Sequence, residues 1–152
     1  VCYLRSKYRL PIIIDAKIAG NRITSTYISN YKKAKINHPK DKTFLMYDLD
    51  VPEMLPKLEK IRDAVVIASN PCFELWLWLH LKPNRPFADR HDCQRSLCRE
   101  WPAFAKGDYD ASKLMPMVLQ ACERARDLDA QPDAKWPEEQ ATWVYRLVER
   151  LR

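Results

Sequence analysis

Two aspartates stand two residues apart at the end of the run KTFLMYDLD, and a glutamate sits inside the run SNPCFELWLWLHL. If KTFLMY is a strand, alternation points Asp48 and Asp50 to the same face. Two carboxylates aimed together repel unless a cation lies between them. Oxygen donors of this kind suit Mg2+ or Mn2+, which bind through one or two carboxylates and keep several waters for a phosphate to displace. The plainer reading is that the pair caps the next helix, with Asp50 near its positive end. Glu74 is the sharper signal. Flanked by Phe73, Leu75, Trp76 and Trp78, it is expected to be buried, and a buried carboxylate is costly unless it is paired, hydrogen-bonded or bound to a cation. With Asn70 as N-cap and Pro71 as first helical residue, Glu74 lies one turn into a helix and projects back over that turn, toward the edge where the aspartates point. The helix dipole alone returns about 0.3–2 kcal/mol. A metal or a positively charged side chain offsets more.

Other residues carry weaker signals. Lys32, Lys33 and Lys35, interleaved with Tyr27 and Tyr31, either track a phosphate backbone with tyrosines for stacking or form a solvated helix face. Lys106, in AKGDYD, either reaches a phosphate oxygen or is an ordinary turn lysine. His91, Cys93 and Cys98 match no closed zinc spacing. Cys72 stands at a helix N-terminus, where a thiol pKa falls, but small buried cysteines are common. His80 on an apolar helix reads as a hydrogen-bonded core residue.

The elements that must position these groups alternate. Residues 10–16 (LPIIIDA), 42–47 and 64–68 (AVVIA) read as strands, and residues 24–37, 52–63 and 71–81 as helices. Strands that are apolar throughout and alternate with helices imply a parallel sheet covered on both faces, with the ligand site beyond the carboxyl ends of its strands. Asp48, Asp50, Ser69 and Asn70 fall at such ends. From residue 82 the texture changes to a polar loop, followed by helices predicted over 93–101, 114–128 and 143–151. The reading is one domain, with an α/β core over 1–81 and a mainly helical elaboration over 82–152.

Composition excludes several classes. Only Gly20 and Gly107 are present, so neither a phosphate-cradling GxxxxGK[ST] loop nor a GxGxxG turn exists. No apolar run is long enough to span a bilayer. Lys plus Arg number 26 against 20 Asp plus Glu, a net charge of +6, which suits a polyanionic partner and equally an ordinary basic surface. Five cysteines without a CxxC pair fit a reducing, cytoplasmic setting.

The segments SNPCFELWLWLHL, YDLD, KGDYD and VYRLVERL together resemble the RloB-like proteins, whose Toprim domain is similar to that of the OLD-family nucleases. The resemblance covers most of the chain. It implies a Toprim-like Rossmannoid parallel sheet flanked by helices, a divalent-metal phosphodiesterase acting on DNA or RNA, and a role in anti-phage abortive infection beside an AAA/ABC-type ATPase, with homo-oligomerisation left open. Carried over, it makes Asp48, Asp50 and Glu74 metal ligands, Ser69 and Asn70 supporting residues, and Lys106 a lysine near the metal. One departure matters. The family's first strand ends in an EGxxTE-like motif that supplies metal-binding glutamates, and here Val1-Cys2 runs straight into Tyr3-Leu4; the expectation is that the loop carrying it is omitted from this sequence, and the alternative is a true loss that leaves an inactive module binding an ATPase or nucleic acid.

Overall fold

A computed structural model describes residues 1–36, 38–104 and 110–151. Lys106, one of the candidate residues, lies outside them. The order of elements is α1 (Cys2–Lys7), a 3-10 turn (Gly20–Arg22), α2 (Ser25–Lys33), β1 (Phe44–Asp48), a 3-10 turn (Pro52–Met54), α3 (Leu55–Leu58), β2 (Val65–Asn70), α4 (Glu74–Leu81), α5 (Arg90–Glu100), a 3-10 stretch (Ala111–Met117), α6 (Val118–Leu128), β3 (Ala141–Thr142) and α7 (Val144–Arg150). It is an α/β arrangement, a small mixed sheet flanked by helices.

The sheet is ordered β1-β2-β3. β1 and β2 run parallel, from Phe44 opposite Val65 to Asp48 opposite Ser69. β3 runs antiparallel to β2, with Thr142 opposite Ser69, which corrects the expectation of an all-parallel sheet. A two-residue strand entered from a polar loop leaves no periodic signal.

Residues 10–16, expected as a buried strand, form none. Their backbone bonds are local, as in Leu10 N–H to Arg5 O at 2.9 Å and Ile12 N–H to Leu10 O at 2.9 Å, and Ile13 is 95 % exposed. β-branched composition favours a strand only where a neighbour supplies a ladder, and β1 pairs only with β2 among the described residues. The segment is instead fastened through Asp15, which meets Tyr31 and Lys35, and the chain after it through Gly20. This glycine adopts a φ of 55°, in the region glycine tolerates, and its carbonyl accepts from the Tyr47 hydroxyl at 2.8 Å.

Elsewhere the local chemistry follows the sequence. Thr24 caps α2, its hydroxyl accepting from Tyr27 N–H at 3.0 Å. α5 departs from the expected helix over 93–101 by starting at Arg90, because Asp89 caps it, accepting from Asp92 N–H at 2.8 Å. The expected helix over 52–63 is a 3-10 turn followed by one short turn of α3, and that over 114–128 is a 3-10 stretch passing into α6. Pro56 and Pro116 have no amide to donate and interrupt both.

α4 is the hub. From Glu74 to His80 every residue is buried, and a helix apolar on all sides has to be covered on all sides. It packs against α5, α6, β2, β3 and the 3-10 stretch before α6. Its core joins Leu75 and Leu79 to Ile67 of β2, Leu97 of α5, Val118 of α6 and Leu147 of α7, so residues before and after position 82 share one core. A second, smaller core lies where Leu45 of β1 meets Ile28 of α2 and Leu58 of α3.

His80 stands inside the larger core with 2 % exposure. Its Nδ1 is 2.8 Å from Trp76 O, and its ring meets the Trp76 ring edge-on at 4.6 Å. Burial holds its pKa below the usual histidine value, helped by the charge of Arg124 and opposed by the Trp76 carbonyl. The unfolded chain therefore takes a proton, near pH about 6.5, that the folded chain refuses, so stability is full above that pH and declines as the pH falls through it toward the folded pKa. His80→Gln removes this titration. The urea midpoint of the wild-type chain is expected to fall more between about pH 7.5 and 5.5 than that of the variant; equal falls would contradict the assignment.

Candidate functional site

Because β1 and β2 are parallel and in register, their carboxyl ends form one edge. Asp48 lies opposite Ser69, and the Leu49 amide donates to Ser69 O at 2.9 Å. Beyond that edge the chain turns through Pro71, after a cis Asn70-Pro71 bond, and α4 starts at Glu74 with Phe73 as its N-cap residue. Asn70 is therefore not the cap, and Glu74 opens the helix rather than lying one turn in. Phe73 has no side chain that can cap, and a carboxylate from the neighbouring strand helps instead. Asp48 Oδ1 accepts from Phe73 N–H at 2.8 Å. Asp48 thus caps the amino end of α4, not the helix immediately after it, which places negative charge where the helix leaves donors unpaired.

The other two carboxylates are met by α5. Arg90, its first residue, donates through Nη1 to Asp50 Oδ2. Gln94, one turn later, donates through Nε2 to Glu74 Oε1 at 3.0 Å. Residues four apart share a helix face, so one face of α5 engages Asp50 and Glu74 together. Burial works against the Arg90 charge, but its bond to Asp50 and the fields of Asp50 and Asp48 outweigh burial and hold the guanidinium above its ordinary value. Arg90 is accordingly the cation already present at the acidic edge.

That pairing is incomplete. Asp50 Oδ1 and Arg90 Nε are both buried and neither has a hydrogen-bond partner. An arginine and a carboxylate can meet through two parallel bonds, and only the Nη1 contact is made here. Among the described residues no group of three or more His, Cys, Asp or Glu is arranged to hold a metal. The donor chemistry nevertheless fits a hard divalent ion, because such ions need only one or two carboxylates and Asp50 keeps an oxygen without a partner.

The remaining candidates are distributed as follows. The Ser69 hydroxyl is 2.8 Å from the Thr142 hydroxyl, and Asn70 donates to the carbonyls of Pro137 and Glu138 at 3.0 and 3.1 Å. Both fasten the C-terminal segment to the sheet edge. Ser69 also lines, with Asp48, Met46, Tyr47, Ile67 and Phe73, an open depression of about 260 Å3. Lys32 and Lys33 line a different depression of about 350 Å3 with Ser25, Ser29 and Asp63, and the two depressions share no residue. Lys35 is 2.7 Å from Asp15 and 5.0 Å from the centre of the Tyr31 ring, while the Tyr31 hydroxyl donates to Asp15 at 2.7 Å. Cys72 is fully buried. Contact with Cys93, burial and the nearby Glu74 all push its thiol up, the opposite of what a nucleophile needs.

Arg90 and Gln94 were not singled out in the sequence, where Arg90 fell in a stretch read as loop and Gln94 near the start of the helix expected over 93–101. The signal that could have found them is Asp89, an N-cap residue standing just before an Arg and a Gln at i and i+4.

Compared with models of known protein families, the chain matches the one described as RloB-like protein over residues 4–151. No curated protein and no solved structure matches it.

Removing the Asp48 carboxylate by Asp48→Ala leaves the Phe73 amide without this acceptor and is expected to cost about 1–3 kcal/mol. Asp48→Asn keeps an oxygen for that amide and is expected to cost less than about 1 kcal/mol. Urea denaturation of the two variants measures the difference, and equal losses would show that the Phe73 bond carries no stability.

Proposed function

The chain belongs to the RloB-like protein family, and on that premise we propose that it is a divalent-metal-dependent phosphodiesterase, Toprim-like in arrangement, that cuts DNA or RNA. The observation that carries this reading is the carboxyl edge of the sheet. Asp48 ends β1, Asp50 follows with one buried oxygen lacking a partner, and Glu74 opens the helix whose amino end Asp48 caps. Asp48 and Asp50 stand two residues apart at that edge, and like charges set so near one another are stabilised by a cation.

Asp48 and Asp50 would hold Mg2+ or Mn2+, with Glu74 beside them. When bound, such an ion supplies Lewis-acid stabilisation of charge on phosphate oxygens and eases deprotonation of water. The chain's own groups do the rest. Asp48 keeps the start of α4 against the edge, and Gln94 fixes the Glu74 carboxylate. Ser69, opposite Asp48, lines the depression and anchors the C-terminal segment through Thr142. Lys106 is proposed to neutralise phosphate charge, and Lys32, Lys33 and Lys35 to draw in the polyanion from solution. The same premise supports a defensive role in the cytoplasm, in abortive infection, alongside an AAA/ABC-type ATPase.

A second reading is favoured by one specific contact. Arg90 already supplies positive charge to Asp50, as expected of a module that binds nucleic acid or an ATPase without cutting. The two readings separate in one assay, because Asp48→Asn preserves the cap while removing the charge. The enzyme reading predicts Mg2+- or Mn2+-dependent cleavage by the wild-type chain, abolished by EDTA and reduced at least about 100-fold in Asp48→Asn. Cleavage that persists in excess EDTA or survives the substitution would refute it. Binding without cleavage in either metal would establish the second reading instead.

A further inference from the structure

Resting on the phosphodiesterase reading, we propose that Arg90 is a phosphate-binding residue held in reserve: it closes the acidic edge by pairing with Asp50, and swings out to take a phosphate oxygen of the substrate when a cation replaces it on Asp50.

The geometry argues against a purely structural ion pair. Arg90 touches Asp50 through one nitrogen, and the contact leaves a carboxylate oxygen and the Nε–H buried without partners. Buried polar groups in a settled network are nearly always satisfied. The two unsatisfied atoms are of opposite character: Asp50 Oδ1 accepts a cation, and Arg90 Nε–H donates to an anion. A divalent ion arriving with a phosphate brings one of each. The exchange is sterically open, since the Arg90 side chain is 33 % exposed while that of Asp50 is 13 % exposed, so the arginine can rotate toward solvent while the carboxylate stays. Its planar fork suits a phosphate better than any ammonium does. Gln94, on the same face of α5, keeps Glu74 in place without a charge that would compete.

The arrangement has a signature that a structural ion pair lacks. Removing Arg90 releases a competitor of the cation and deletes a ligand of the phosphate, so cation and phosphate affinities move in opposite directions. Ca2+ is the probe for the cation, measured by isothermal titration, and fluorescein-labelled single-stranded DNA and RNA oligonucleotides are the probes for the phosphate, measured by anisotropy in Ca2+ and in EDTA. The wild-type chain is expected to bind one of the oligonucleotides about tenfold more tightly in Ca2+ than in EDTA. Arg90→Ala is expected to bind Ca2+ alone more tightly than wild type and to lose that tenfold enhancement. Arg90→Lys, which keeps the charge but not the Nε–H fork, is expected to lose the enhancement too.

If the wild-type chain shows the enhancement and both variants retain it, the role given to Arg90 is overturned while the metal site stands. If the wild-type chain shows no enhancement with either oligonucleotide, the reading of the edge as a metal-phosphate centre fails, and the proposal with it. One wild-type measurement guards against misfolded variants. The Arg90 Nε–H proton resonance should move when oligonucleotide is added in Ca2+ and stay nearly fixed with Ca2+-free oligonucleotide; a resonance unmoved at saturation overturns the proposal.

Discussion

The hydrogen bond from the Phe73 amide to Asp48 is the constraint on which the rest of the site depends. It joins the end of β1 to the start of α4, and α4 is the helix around which the larger core is built. A carboxylate at that point is favourable because the first turn of a helix has donors with no partners of their own. It is also a commitment, because it brings negative charge to an edge that already carries Asp50. The chain meets this accumulation with one face of α5, where Arg90 and Gln94 stand a turn apart. The fold and the site are therefore the same set of bonds.

Burial and charge oppose each other along α4. Its apolar residues draw it into the core, where Leu75 and Leu79 are fully enclosed, and Glu74 goes in with them because it is the first helical residue. Hydrophobic burial of this kind is worth roughly 25 cal/mol per Å2 of apolar surface, ample for a helix of this composition to tolerate one carboxylate that is hydrogen-bonded. His80, at the other end of the helix, is accommodated on the same terms, with Nδ1 at the Trp76 carbonyl. The C-terminal segment completes the edge: Thr142 meets Ser69, and Asn70 holds the carbonyls of Pro137 and Glu138.

What could be read in the sequence was the part governed by local chemistry. The helix starting near Thr24, the strands over residues 42–47 and 64–68, and the buried α4 follow from residue type and periodicity over a few positions. The misread elements were those decided by partners far along the chain. LPIIIDA has strand composition but no strand beside it, and β3 is too short to announce itself. The helix start moved from Asn70 to Phe73 because a carboxylate from another element supplied the cap. Asp48, Asp50 and Glu74 stood out because charged residues next to apolar runs are conspicuous, whereas Arg90 lay in a stretch where charge is ordinary. Its importance comes from Asp50, forty residues earlier, and no local pattern encodes that pairing.

The account's central claim is that the carboxylates at the sheet edge are gathered for a divalent cation. Titration of the chain with Mn2+, followed by electron paramagnetic resonance of the free ion, tests it most directly. Saturable binding that is lost in Asp50→Asn, with the thermal midpoint of that variant within a few degrees of wild type, is the predicted result. Mn2+ binding that is absent from the wild-type chain, or unchanged in Asp50→Asn, would contradict the claim.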